Sequence, residues 1–183
     1  MSSAHPVAET GPVRSEPEAD DHPATPRDVA LDVAVVLLWS LAAGVAGALL
    51  WWWATPLPQA TATPDGPALT ADELARQVAV DGWFAVVAVG LGLLSGLVLV
   101  AWRRRDPLLS VPLVVLGAAL AGQLALRLGG VLGPADPATV LAGRAEGTQA
   151  PLQLALQAPG LVWVWPAAAA LGALLHLFVL RRD

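Results

Sequence analysis

Four long runs without a charged residue constrain the fold of this chain more than any other feature of its sequence. Each run has about 20 residues, and a helix of that length, at about 1.5 Å of rise per residue, crosses a hydrocarbon core of about 30 Å. Because lipid offers the backbone no hydrogen-bond partner, each run has to satisfy its own amides as an α-helix. The runs are Val33–Ala54, Phe84–Trp102, Pro107–Leu126 and Pro159–Leu180. The sequence therefore predicts an all-α membrane protein with four transmembrane helices.

The composition agrees with this class and excludes several others. Of 183 residues, 56% are hydrophobic and only 14% are charged, which is typical of a membrane protein. The formal net charge of −5 says little about partners, because many of the acidic residues precede the first apolar run, and the sequence offers no basic face for a nucleic acid. Cysteine is absent, which rules out a disulfide, a thiolate nucleophile and a cysteine metal site. We expect no cofactor and no metal.

The chain divides into a tail and a membrane domain. Residues 1–26 contain almost no large apolar side chain, so they cannot bury enough surface to fold and are expected to be a disordered cytoplasmic tail. Residues 27–183 form the predicted four-helix domain, arranged as two helical hairpins. Its helices are predicted at about residues 31–54, 83–102, 107–128 and 159–181, and its extracytoplasmic loops at 55–82 and 129–158.

Arginines near the helix ends predict the orientation, because basic residues are retained on the cytoplasmic side. One set of flanks holds six: Arg27, Arg103, Arg104, Arg105, Arg181 and Arg182. The other holds three: Arg76, Arg127 and Arg144. We therefore expect a multi-pass protein of the inner (plasma) membrane with both termini in the cytoplasm. Tryptophans at the opposite helix ends, which are Trp51, Trp52, Trp53, Trp83, Trp163 and Trp165, predict an aromatic belt there.

The two longer loops contain signals for short secondary structure. Gln77–Asp81 and Gln153–Gln157 each alternate polar and apolar residues, which predicts a short strand in each loop. Thr70 followed by Glu73 has the spacing of a capping box, which predicts that a short helix opens there.

Tryptophan, proline and charged residues recur at the ends of the runs in four short elements. They are Leu50–Pro56 (LWWWATP), Asp81–Phe84 (DGWF), Trp102–Pro107 (WRRRDP) and Ala158–Pro166 (APGLVWVWP). Together they resemble an actinobacterial membrane family, the domain-of-unknown-function family numbered 2567, over roughly residues 28–182. Asp81–Phe84 is the most specific of them. The resemblance implies a four-helix inner-membrane protein from an actinobacterium and implies no activity.

Four polar residues at or near the spans are candidates for a structural or functional role, because such groups are costly in lipid. Asp81 is expected to cap the N-terminus of its own helix and to pair with Arg127, which ends the third helix on the same side. Asp32 and His176 are expected at similar depth near the cytoplasmic surface, where they could share a hydrogen bond.

Small residues predict where helices pack closely. Gly92, Ser95 and Gly96 lie in a GxxxG pattern, which allows two helices to approach through backbone contacts. The Ser95 hydroxyl can donate to a carbonyl one turn back. Ala169, Gly172 and Ala173 share one stripe of the last helix with His176, and this stripe is expected to face the bundle.

Two kinds of activity are alternatives to a structural role, and the sequence departs from both. A rhomboid-type protease would need Ser95 and His176 as a dyad, but Ser95 lies mid-helix and His176 lies near a helix end, and a rhomboid core has six helices. A small multidrug exporter would need an acid deep in its first helix, whereas Asp32 precedes the uncharged run Val33–Ala54. We expect a non-enzymatic structural or accessory component of the cell envelope. It would contact the lipid bilayer and either a partner membrane protein or further copies of itself. The alternative is a subunit of a small oligomeric transporter or channel.

Overall fold

The computed structural model of the chain describes residues 25–102 and 107–180. The sequence prediction of a disordered tail falls almost wholly on residues 1–24, which lie outside this range, as do Arg103, Arg104, Arg105, Arg181 and Arg182.

The described chain is mostly helical and contains a small sheet. Its elements are α1 (Pro26–Ala54), β1 (Gln59–Thr63), β2 (Gly66–Ala68), α2 (Ala71–Trp102), α3 (Pro107–Leu132), α4 (Pro137–Val140), β3 (Gln149–Pro151), a 3₁₀ turn (Pro159–Trp163), α5 (Val164–Leu175) and a π-helical turn (His176–Leu180). The last three are continuous and are called here the fourth span. Four helices, α1, α2, α3 and the fourth span, are long and apolar enough to cross a membrane. This confirms the predicted number of such helices and is compatible with a multi-pass membrane protein.

Two threonines define the helix starts of the first half of the chain. The Thr25 hydroxyl accepts from the Asp28 amide, the Asp28 carboxylate accepts from the Thr25 amide, and Pro26 occupies the first helical position. The Thr70 hydroxyl likewise accepts from the Glu73 amide at 3.4 Å, and α2 begins at the next residue. The helix that Thr70 opens is not short, however, because it continues for 32 residues to Trp102.

Two sequence predictions about α2 are therefore wrong. The helix was expected to start at about residue 83, but it starts at Ala71. Gln77–Asp81 was expected to be a strand, but it lies inside α2. Hydropathy marks only the apolar part of a helix, whereas backbone hydrogen bonds propagate from the cap at Thr70 through polar residues at little cost.

A three-stranded antiparallel sheet joins the two longer loops. Its order is β2-β1-β3: Thr61 is opposite Ala68 in β2 and opposite Gln149 in β3. The turn between β1 and β2 is two residues long and is followed by Gly66, whose φ of 113° favours glycine. Because the sheet takes strands from both loops, both loops lie at one end of the helix bundle. We call this the sheet end.

The helices pack most extensively with neighbours that are not consecutive in the chain. α1 packs along α3, and α2 packs along the fourth span, so that the order around the bundle is α1, α3, fourth span, α2. Within each of these two pairs the helices run in the same direction: Gly117 contacts Ser40, and Gly129, further along α3, contacts Trp51, further along α1.

Candidate functional site at the sheet end

Asp81 joins α2 to the start of the fourth span. Its side chain is half-buried, and its Oδ1 and Oδ2 accept from the backbone amides of Gln157 and Ala158, each at 2.9 Å. The 3₁₀ turn that follows, beginning at Pro159, has no side-chain cap of its own from Ala158. Asp81 therefore supplies the carboxylate for these amides, where the positive end of the helix dipole also favours a negative charge. The expectation that Asp81 caps its own helix is wrong, because α2 begins at Ala71.

Arg127 does not meet Asp81. Within residues 25–102 and 107–180, no hydrogen bond or ion pair joins the Arg127 guanidinium to any carboxylate. Each carboxylate oxygen of Asp81 accepts a hydrogen bond from a backbone amide at the junction of α2 and the fourth span. Arg127 instead lies exposed on α3, beside a groove that α3 forms with α1.

The segment Leu152–Ala158, which we call the strap, crosses the sheet end between β3 and the fourth span. At its start the Leu152 amide donates to the Pro58 carbonyl at 2.8 Å, and at its other end Asp81 binds it. Leu154 is 1% exposed and lies against Gly129 of α3 and Gly133 just after α3, so that a Cβ on Gly133 would come within 2.6 Å of the Leu154 Cβ. The strap therefore closes this end of the bundle.

The prediction of a strand at Gln153–Gln157 is wrong, although its alternation reflects the burial correctly. Leu154 and Leu156 pack against the core, while Gln153 and Gln157 are exposed. The segment is not part of the sheet, and the ladder with β1 is formed by Gln149–Pro151 just before it. Alternation indicates which side chains face the interior, but it does not identify a backbone partner.

Three aromatic side chains fill the bundle beneath the strap. The Trp51 Nε1 donates to the Val80 carbonyl at 3.0 Å, and its ring meets Phe84 edge-on at a centroid distance of 5.1 Å. Phe84 in turn lies 6.5 Å from Trp165. Trp51 and Trp165 are both 0% exposed, so the prediction that they belong to an aromatic belt is wrong. The other four predicted belt residues are exposed: Trp52, Trp53, Trp83 and Trp163.

Glu73 anchors the sheet to α2. The Gln59 amide of β1 donates to Glu73 Oε2 at 2.8 Å, and Arg76 donates to Glu73 Oε1 at 3.0 Å. The spacing of Thr70 and Glu73 indicated a helix start, but nothing local in the sequence indicated that the Glu73 carboxylate would reach another element. A crevice of about 240 Å³ opens beside this sheet. It lies between the β1–β2 turn and the loop after α4, and its lining includes Thr63, Gly66, Pro67, Leu141, Arg144 and Glu146.

The small residues singled out in α2 lie against the fourth span. A Cβ on Gly92 would come within 2.6 Å of the Trp165 carbonyl oxygen, and a Cβ on Gly96 would overlap the Ala169 carbonyl oxygen. Between them, the Ser95 hydroxyl donates to the Leu91 carbonyl at 2.6 Å and accepts from Trp39 Nε1 at 2.9 Å, which links α2 to α1. The stripe predicted to face the bundle does so at three positions, Ala169, Gly172 and Ala173, which are buried.

Asp32 and His176 are not brought together. The backbones of α1 and the fourth span are not close neighbours in the bundle, and His176, half-buried at the start of the π-helical turn, has no hydrogen bond from its imidazole to any side chain of the described ranges. In the same ranges, no group of three or more His, Asp or Glu side chains could hold a metal ion.

Comparison of the chain with family models, with curated proteins and with solved structures found no match. The resemblance to family 2567 therefore rests on the four sequence elements alone, and the geometry of the sheet end has to support any functional proposal.

Proposed function

We propose that this chain is a non-enzymatic structural or accessory protein of the inner (plasma) membrane, which presents its sheet end to a partner protein outside the cytoplasm. Both termini lie in the cytoplasm in this proposal, and the chain is threaded as two hairpins. The support for this orientation is the arginine asymmetry of six against three flanking residues.

One observation carries the functional part of the proposal: the two loops form one braced unit. β1 and β3 come from different loops, Glu73 holds β1 to α2, and Asp81 holds the strap. Below this unit, Trp51 and Trp165 fill the bundle. Because the interior is filled, the described part of a single copy has no space for a transport pathway, which supports a scaffold. A rigid surface with a crevice suits a partner that has to be held in one orientation.

Site-specific photo-crosslinking in native membranes tests the proposed partner surface. A crosslinking amino acid at Glu146, on the crevice, should capture one specific membrane or envelope protein that mass spectrometry can identify. The matched control carries the same amino acid at Leu38, which is 67% exposed on α1 but lies away from the crevice. Identical products from both positions, or none from Glu146, would contradict the proposal. Self-crosslinking from Glu146 would identify the partner as a second copy.

A transport assay addresses the alternative. Proteoliposomes that contain only this chain should show no substrate efflux above empty vesicles. Efflux driven by a proton gradient would instead favour a transporter subunit.

Cysteine labelling tests the orientation. Because the chain has no native cysteine, only the introduced cysteine can react. Single cysteines at Thr63 and Gly147 should react with a membrane-impermeant reagent added outside the cell, and one at Arg104 only after the membrane is opened. Gly147 and Thr63 are both at the sheet end, since the Gly147 amide donates to the Ala62 carbonyl. Labelling of only one of these two from outside would therefore contradict the fold as well as the orientation.

A further inference from the structure

A groove of about 450 Å³ runs along the outer surface of the bundle between α1 and α3. Its walls are four leucines with three polar residues among them: Leu37, Ser40, Leu41, Leu120, Gln123, Leu124 and Arg127. Arg127 is exposed at the end of the groove nearest the sheet end, and Gln123, one turn before it, is exposed as well. The lining contains one cation and no carboxylate.

The level of Arg127 in the bundle can be read from the helix contacts. Gly129 lies against Trp51, so Arg127 lies two residues, or about 3 Å, before the level of Trp51. Next to Trp51 on α1, Trp52 and Trp53 are exposed, and exposed tryptophans occupy the membrane interface. A guanidinium at this depth can extend to the phosphate level while its stem stays in the apolar region.

The groove has the length of one lipid leaflet. It ends near Leu37, which is level with Gly117, because Val36 and Ser40 contact that glycine. From Arg127 to this level is about 15 Å of helix rise, or half of a hydrocarbon core of about 30 Å.

From this arrangement we infer that the groove binds one anionic glycerophospholipid. The Arg127 guanidinium binds the phosphodiester, the Gln123 amide donates to an ester carbonyl one turn deeper, and an acyl chain lies along the leucines. Because no carboxylate faces Arg127 in the groove, the site has nothing to bind the ammonium of a zwitterionic headgroup. This inference rests on the proposed membrane location of the chain.

The test measures lipid retention by the full chain in mild detergent, using native mass spectrometry with phosphatidylglycerol or phosphatidylethanolamine added at matched concentrations. The wild-type chain should retain one phosphatidylglycerol in preference to phosphatidylethanolamine. Arg127→Gln should weaken phosphatidylglycerol binding by about tenfold or more, as expected for the loss of a charge-assisted contact. Arg144→Gln, which removes an exposed arginine of the crevice, should bind as the wild type does.

A second pair of variants tests the acyl part of the site without changing charge. Leu41→Trp places bulk in the groove and should reduce retention of both lipids, whereas Leu38→Trp, an exposed position outside the lining, should not. Since both positions are on the surface, these variants keep the test valid if Arg127→Gln does not fold.

Three results would overturn the inference. The first is equal retention of the two lipids, and the second is equal effects of the two arginine variants. The third is a chain that retains no lipid and that, with a photo-crosslinking amino acid at position 41, crosslinks to a protein helix in native membranes. A separate extraction with alkaline carbonate tests the membrane location. If the chain is not a membrane protein, this treatment releases it from membranes.

Discussion

At the scale of single residues, the sheet end depends on side chains that hold backbone groups of another element. Asp81 binds two amides of the strap, Glu73 binds an amide of β1, and Trp51 donates to a carbonyl of α2. The Trp51 contact is buried and the Glu73 contact is half-buried, so the loss of either costs more than the loss of the same contact at an exposed surface. The Asp81 contacts lie at the surface, and their strength comes from the charge of the carboxylate that accepts both hydrogen bonds.

Asp81→Asn should lower the stability of the folded chain by about 1–3 kcal/mol, because the amide side chain can accept only one of the two hydrogen bonds and carries no charge. Thermal unfolding in detergent measures the loss. Asp65→Asn, in the exposed β1–β2 turn, is the control and should be close to neutral. The double variant Asp81→Asn/Arg127→Gln should show additive losses, since the two residues are not in contact. A coupling above about 0.5 kcal/mol would contradict the arrangement described.

Trp51→Phe should cost about 1–3 kcal/mol, because it removes the hydrogen bond to Val80 and leaves space beside Phe84. Trp53 provides a matched control two residues away, since it is 80% exposed. Trp53→Phe should change the unfolding temperature little in the same detergent. Equal losses from the two variants would show that Trp51 is not the buried member of the pair.

The sequence identified Asp81 as an unusual charge but could not identify its partners. Those amides lie 76 and 77 residues further along the chain. Arg127 was a reasonable partner by depth and charge. Every residue except proline has a backbone amide, however, so the sequence does not show which amides will bind a carboxylate. The amides of Gln157 and Ala158 are free to donate to Asp81 because the strap ends there.

At the scale of elements, glycine positions decide which helix faces can meet. The backbones of α2 and the fourth span approach so closely that a methyl group at Gly96 would overlap the Ala169 carbonyl. On the opposite side of α2, a Cβ on Gly90 would have no atom within 4 Å. The same residue type therefore has a packing role at one position and none at the other.

Gly96→Ala should destabilise the bundle by about 1–3 kcal/mol through overpacking, whereas Gly90→Ala should cause no loss, because alanine is the better helix former and fits freely. Detergent unfolding of the two variants side by side makes the comparison. If Gly90→Ala costs as much as Gly96→Ala, the face of α2 that meets the fourth span has been assigned wrongly.

Helix existence was predictable from the sequence, and helix extent was less so. The four apolar runs indicate their helices because length and apolar composition are properties of each run by itself. The first turns of α2 are polar and continue helically because of the Thr70 cap and the sheet next to them. The GxxxG pattern indicated a close contact but not which of the other helices would make it.

At the scale of the whole molecule, the sheet connects parts of the chain that the helices keep separate in sequence. Ala68, Thr61 and Gln149 lie in one row across β2, β1 and β3. The row gives a direct test of strand order.

Cysteines at Thr61 and Gln149 should form a disulfide under mild oxidation, because partners in adjacent antiparallel strands have Cα atoms about 4.5–5.5 Å apart. Cysteines at Ala68 and Gln149 should not, since two strand spacings amount to about 9.5 Å. Alkylation of free thiols followed by mass spectrometry distinguishes the two cases. Oxidation of the second pair in preference to the first would show that β1 is not the central strand.

The place of β3 in the chain also imposes an order in time. β1 and β2 are complete once Ala68 has been synthesised, but β3 follows roughly 80 residues later. At translation rates of about 5–20 residues per second, β1 therefore has an unpaired edge for about 4–16 s, and Asp81 waits as long for its amides. In this interval the nascent chain displays an open strand edge and a carboxylate that lacks its hydrogen-bond donors. A chaperone or a quality-control protease could recognise these features, and both gain their partners when the last loop arrives.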